Sequence, residues 1–202
     1  MHRHSATVNM QRIGLLLTLL IPLSTLAHTE GAVGGSAFTT GFMHPFGGLD
    51  HMLAMLAVGM WGAQLGMPAL WILPVAFPLM MAVGGVTGLV GMPLPSIELG
   101  IALSVVMLGA VILFKLRPPI WASFLIVGFF AIFHGHAHGL ELPGNADPLA
   151  YSIGFVVATG LIHIAGILIG FVTHMPRGMA LLRAGGAAIA AAGVWIMMGV
   201  FA

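Results

Sequence analysis

The chain has 202 residues, of which 59% are hydrophobic and only 5% charged, and its formal net charge is +1. Soluble domains carry roughly 25% charged residues, so this composition is typical of a membrane protein. Six scattered lysines and arginines give no basic patch for nucleic acid, and the absence of cysteine excludes disulfides, thiol catalysis and cysteine-bound zinc. Ten histidines are the anomaly, because ionisable side chains in a bilayer are costly and usually functional.

Residues 1–27 are predicted to be a cleavable signal peptide. A basic segment precedes an apolar core at 13–23, and small residues follow it up to Ala27. An uncleaved anchor is the alternative, although this core is short of the roughly 20 residues that cross a bilayer. Cleavage after Ala27 would place His28 at the mature N-terminus, where its amine and imidazole could bind one metal ion together. Residues 28–202 would then form a single transmembrane domain.

Six apolar runs follow a short leader rich in glycine, threonine and serine, and clusters of proline and glycine separate them. Each run is long enough to cross a bilayer at 1.5 Å per residue. Their approximate limits are 45–66, 69–90, 96–114, 119–139, 149–172 and 180–201. We therefore predict an all-α polytopic membrane protein with six transmembrane helices. Pro74 and Pro78 predict a kink or break in the second run, and spaced pairs such as Gly84–Gly88 predict close helix packing.

The positive charges predict the orientation. Lys115 and Arg117 lie between the third and fourth runs, and Arg177 and Arg183 flank the gap between the fifth and sixth. Because positively charged loops stay in the cytoplasm, the mature N-terminus is predicted to lie outside, where signal cleavage would leave it. The expected location is the bacterial inner membrane.

Two histidine-rich motifs lie at the outer ends of the first and fourth runs under this topology. They are HPFGGLDH at 44–51 and FHGHAHGLE at 133–141. The candidate metal ligands in them are His44, Asp50, His51, His134, His136, His138 and Glu141. Imidazole and carboxylate without thiolate suit Zn, Ni, Co, Cu(II) or Fe and disfavour Mg or Ca.

Helical spacing divides the second motif. His134 and His138 are four residues apart and share one helix face, and Glu141 continues that face if the helix persists. His136 points away and requires another partner. Glu98, at the outer end of the third run, and His163, near the middle of the fifth, are candidates for a translocation path. For His163, hydrogen-bonded packing is the equally weighted alternative.

The two motifs, together with six apolar runs and a histidine directly after the signal peptide, resemble the HupE/UreJ family over essentially the whole mature chain. The resemblance implies a secondary metal permease, mainly for nickel and in some relatives for cobalt, that serves hydrogenase or urease maturation. By motif match, the positions implicated in the family fall on His44, Asp50, His51, His134, His136 and Glu141.

The predicted function is therefore secondary transport of Ni²⁺ or Co²⁺ from periplasm to cytoplasm, with no catalytic residues and no tightly bound cofactor. The expected partners are the metal ion, the lipid bilayer and, functionally, hydrogenase or urease maturation proteins. Two alternatives stay open. One is an intramembrane zinc-dependent hydrolase in which Asp50 or Glu98 activates water, and the other is a metal-binding accessory protein that does not transport.

Overall fold

A computed structural model describes residues 36–141 and 147–202, and all regular secondary structure in these two ranges is helical. The predicted signal peptide and His28 lie outside the described residues. The α-helices are α1 (Ala37–Gly47), α2 (Leu49–Leu65), α3 (Ala69–Leu89), α4 (Ile97–Leu113), α5 (Ile120–Leu140), α6 (Pro148–Gly170) and α7 (Gly178–Val200). A 3-10 helix, Phe171–His174, follows α6 directly.

The first histidine motif is divided between two helices rather than opening one long run at residue 45. Ser36 caps α1, since its hydroxyl oxygen accepts a hydrogen bond from the backbone N–H of Thr39 at 3.3 Å. α1 ends at Gly47, and Gly48 has an extended backbone (φ −109°, ψ 118°) before α2 begins. Consecutive glycines favour this break because they lose the most conformational freedom in a helix. The interruption between the two helices is thus confined to one residue, Gly48.

α2 is the central helix of the bundle. It packs against α1, α3, α4, α6 and α7. Its middle, from Ala54 to Trp61, is almost entirely buried. A helix surrounded in this way brings whatever polar side chains it carries into the interior of the bundle.

The most extensive helix contacts are those of α3 with α5, α4 with α7, and α6 with both α1 and α2. Glycines on α3 and α5 make the first of these contacts reciprocal. A Cβ atom at Gly84 or Gly88 would meet the carbonyl oxygens of Ile132 and His136, and a Cβ at Gly135 would meet that of Met81. The predicted close packing at Gly84–Gly88 is therefore confirmed, and it fixes α5 and its histidines against α3.

α3 remains a single α-helix of 21 residues through both of its prolines. The predicted break does not occur there.

Four helical segments are long and apolar enough to cross a membrane: Ala69–Leu89, Ile120–Leu140, Pro148–His174 and Gly178–Val200. Large apolar side chains such as Trp71, Leu79 and Leu168 are more than half exposed on their outer faces. A surface of this kind requires lipid, so the chain is a multi-pass membrane protein. α2 and α4 have 17 residues each, which is at the lower limit for a span.

The lysine and arginine residues of the described ranges gather at one end of the bundle, where α2 and α4 end and α7 begins. The Arg183 Nε–H donates to the carbonyl oxygen of Leu113 at 2.7 Å, and the Arg117 guanidinium donates to that of Gln64 at 3.3 Å. The two histidine motifs lie at the opposite end, where α2 begins and α5 ends.

Candidate metal-binding site

The two histidine motifs converge at one end of the bundle. α1 contributes His44, the first turn of α2 contributes Asp50 and His51, and the last turns of α5 contribute His134 and His138, with Glu141 directly after the helix. We call these six residues the histidine cluster. The described part of the chain thus brings six of the eight predicted ligands together, from helices that are far apart in sequence.

The outer part of the cluster consists of His44, His138 and Glu141. His44 Nε2 lies 3.5 Å from Glu141 Oε2, and the rings of His44 and His138 have centroids 4.7 Å apart. One ligand atom from each of the three residues falls within 4.8 Å of the others, so a single ion could bind all three. Glu141 is half exposed and His138 is 9% exposed, so this group leads from the surface inward.

The deeper part of the cluster is formed by His51, His134 and His138. The centroid of the His51 ring is 4.6 Å from that of His134 and 4.5 Å from that of His138. His134 is fully buried. His138 therefore belongs to both parts. Since a neutral imidazole has a single lone pair, this ring can bind only one ion at a time.

Asp50 orients one of the deeper histidines, His51, through two hydrogen bonds. Its Oδ1 accepts hydrogen bonds of 2.7 Å from both the backbone N–H and the ring Nδ1–H of His51. Carboxylates commonly hold metal-binding histidines in this way, fixing the tautomer and making the other nitrogen a better ligand. The other nitrogen, His51 Nε2, is buried and has no hydrogen-bond partner among the described residues.

A serine on α4 assigns the tautomer of His134. The hydroxyl of Ser104 donates to the carbonyl oxygen of Ile101 at 2.6 Å, so its oxygen is left to accept from His134 Nε2–H at 2.7 Å. The lone pair of His134 must then be on Nδ1, which is buried without a partner in the described structure. Ser104 holds the ring as Asp50 holds that of His51. This role of Ser104 was not predicted from the sequence.

The cluster thus contains four buried ring nitrogens with no hydrogen-bond partner in the described residues: His51 Nε2, His134 Nδ1, His138 Nδ1 and His138 Nε2. Buried polar atoms are almost always paired, so a ligand that bound here would supply the partners that these four atoms lack among the described residues. Converging imidazole lone pairs with a carboxylate at the outer edge suit a divalent transition-metal ion.

His136 lies outside the cluster, as the helical spacing predicts. The Thr87 hydroxyl on α3 donates to the carbonyl oxygen of Gly84 at 2.6 Å and accepts from His136 Nδ1–H at 2.9 Å. The partner that this histidine requires is therefore a threonine on α3. A hydroxyl in an apolar span often bonds to a neighbouring helix, so the sequence marks Thr87 and Ser104 as candidates for such a bond without identifying their partners.

Glu98 and His163 are placed separately from the cluster. Glu98 is exposed in the first turn of α4, and no hydrogen bond or ion pair connects it to the cluster in the structure as described. His163 is 2% exposed within α6. The ring of Phe77 contacts both His163 and the cluster, with its centroid 5.5 Å from that of His163 and 5.6 Å from that of His134.

The fold and the site together define a class: a helical, multi-pass membrane protein with a buried histidine and carboxylate cluster near one end of its bundle. Comparison with known proteins specifies the family. The family model described as HupE / UreJ protein matches residues 15–196. The chain is also 41% identical over 179 residues to the curated "Protein HupE" of Rhizobium leguminosarum bv. viciae, covering 89% of this chain and 94% of that protein.

The chain therefore belongs to the HupE/UreJ family, which is associated with nickel or cobalt handling in hydrogenase and urease systems. No solved structure matches it significantly.

Proposed function

We propose that this protein is a secondary transporter that carries Ni²⁺ or Co²⁺ from the periplasm into the cytoplasm for hydrogenase or urease maturation. The main support for this proposal is that the histidine cluster extends from the half-exposed carboxylate of Glu141 to the fully buried imidazole of His134. A site that only stored or sensed a metal would not need ligand atoms that lead from the surface into the interior of the bundle.

The proposal takes α2 and α4 as the two further spans, which gives six. It also places the basic end of the bundle in the cytoplasm, so that the histidine cluster faces the periplasm. Ions would first meet Glu141 and His44, pass to His138, and then to His51 and His134.

Transport of this kind needs no chemical energy source. The sequence contains no P-loop motif for ATP. Two positive charges that move inward gain about 4.6 kcal/mol per 100 mV of membrane potential. Such a gain is sufficient to drive facilitated uptake.

The test is uptake of Ni²⁺, Co²⁺ and Zn²⁺ by cells that lack their own permeases, with and without this gene. We expect uptake of Ni²⁺ or Co²⁺ that Asp50→Ala abolishes while the protein remains in the membrane. His174→Ala is the matched control, because His174 is exposed on the 3-10 helix at the opposite end of α6.

Stoichiometric metal binding without any uptake would refute transport and favour an accessory role. Tight zinc binding accompanied by hydrolytic activity would favour an intramembrane zinc-dependent hydrolase.

A further inference from the structure

Two polar side chains deep in α6 have atoms without a hydrogen-bond partner among the described residues and do not belong to the histidine cluster. They are Thr159, which is fully buried, and His163, which is 2% exposed. Thr159 Oγ1 and His163 Nε2 have no hydrogen-bond partner in the described structure. The two residues are four apart on one helix, so their side chains occupy the same face.

The unpaired hydroxyl of Thr159 is unusual within this protein. Helical serines and threonines normally bond back to a carbonyl oxygen of the preceding turn, which removes the cost of burying the hydroxyl. Thr87, Ser104 and Thr173 all do so, at 2.6, 2.6 and 3.0 Å. Thr159 does not, although its helix offers the same carbonyl oxygens.

His163 is connected to the histidine cluster through the ring of Phe77. Phe77 is fully buried and contacts His163 with its ring edge-on, at an interplanar angle of 84°. The same ring contacts His134, so the centroids of His134 and His163 lie within about 11 Å of each other. The deepest histidine of the cluster and His163, which carries one of the two unpaired polar atoms, thus contact the same aromatic ring.

We infer that Thr159 and His163 form a second binding site, below the histidine cluster, for a partly hydrated divalent transition-metal ion. This inference rests on the proposed function, since it supplies the next position of the transported ion. His163 Nε2 binds the ion directly. The Thr159 hydroxyl, which can donate and accept, bonds to a water molecule that the ion retains. One imidazole and one hydroxyl cannot complete the coordination of such an ion, so the remaining ligands are water.

The packing of α6 favours variants that test this site without disturbing the fold. The close contact between α6 and α2 uses the backbone at this level: a Cβ at Gly59 would meet the carbonyl oxygen of His163. Removing the imidazole ring therefore leaves that contact in place. Thr159→Val removes the hydroxyl with almost no change of shape, and Thr159→Ser keeps the hydroxyl.

The experiment measures Co²⁺ binding to the purified full-length chain in detergent, by equilibrium dialysis and by the d–d absorption of the bound ion. We expect two ions per chain, one in the cluster and one at the second site. His163→Ala should lose one of them, whereas His138→Ala should lose the other and keep the Thr159–His163 ion. Thr159→Val should lower the affinity for the ion at the second site by about 10-fold to 100-fold, which is the usual effect of losing a residue that holds a metal ligand in place. Thr159→Ser keeps the hydroxyl and should bind this ion with the affinity of the parent.

His174→Ala is the control and should bind both ions. Size-exclusion profiles report folding, and Thr159→Val keeps the test valid should His163→Ala fail to fold. The inference is overturned if His163→Ala and Thr159→Val bind as many ions as the parent with equal affinity, which is also the result expected of a path for water or protons alone. Two bound ions without uptake in cells would instead refute transport and leave the second site established.

Discussion

Ser104→Ala tests the tautomer assignment in the deeper part of the cluster. In the parent, the Ser104 oxygen accepts from His134 Nε2–H at 2.7 Å and so keeps the lone pair on Nδ1, beside His51. Without the hydroxyl, the His134 proton can move to Nδ1 and the ring can rotate. Outer-shell partners of this type are worth about 10-fold to 100-fold in metal affinity. This range corresponds to roughly 1.4 to 2.8 kcal/mol.

The variant should also lose stability, because His134 is fully buried and its Nε2–H would have no acceptor. An unpaired buried donor costs about 1 to 3 kcal/mol. Metal affinity is measured by Co²⁺ titration of purified protein, and stability by thermal unfolding without metal.

Ser123→Ala is a closely matched control for this prediction. Ser123 is fully buried on α5, its hydroxyl makes only a 3.5 Å bond to the carbonyl oxygen of Pro119, and it contacts no histidine through a hydrogen bond in the described structure. It should bind Co²⁺ as the parent does. The tautomer assignment is wrong if Ser104→Ala keeps parental affinity for Co²⁺, or if both serine variants lose affinity to the same degree.

Three further variants probe the surroundings of the cluster. His136→Ala should bind metal with an affinity within about threefold of that of the parent, whereas His138→Ala should lose the ion bound in the cluster. Equal losses of bound metal in equilibrium dialysis would contradict the placement of these two histidines on different faces of α5. Gly139→Ala should destabilise the protein in thermal unfolding, because its Cβ would meet the α3 backbone. At Gly160 a Cβ would meet open space, so Gly160→Ala should be neutral or slightly stabilising. Glu141→Gln should raise the metal concentration for half-maximal uptake, since it removes the carboxylate at the exposed edge, and an unchanged value would contradict its role there.

The sequence predicted the histidine cluster better than it predicted the helices that form it. The spacing of His134, His136 and His138 alone separates the two faces of α5, and the structure confirms this separation. The division at Gly48 was not predicted, because a pair of glycines marks a weak point in a helix without specifying which residue will be extended.

The contacts of Ser104 and Thr87 with the histidines could not be deduced from the sequence. In a soluble helix, the apolar stripe shows which face is buried, but a span that is apolar on every side carries no such signal. The rotation of α3 and α4 about their axes is set by small residues at close contacts such as Gly84 with Ile132, and these depend on pairings between distant segments.

The membership of His138 in both parts of the cluster has a kinetic consequence. An ion held by His44 and Glu141 and an ion held by His51 and His134 compete for one lone pair, so the two positions cannot both be filled with full coordination. If the protein transports metal as we propose, ions pass through the cluster in single file, and the outer ligands release each ion as the deeper ones bind it. Uptake should accordingly saturate hyperbolically with metal concentration, and a metal that is bound but not passed on should block the others competitively.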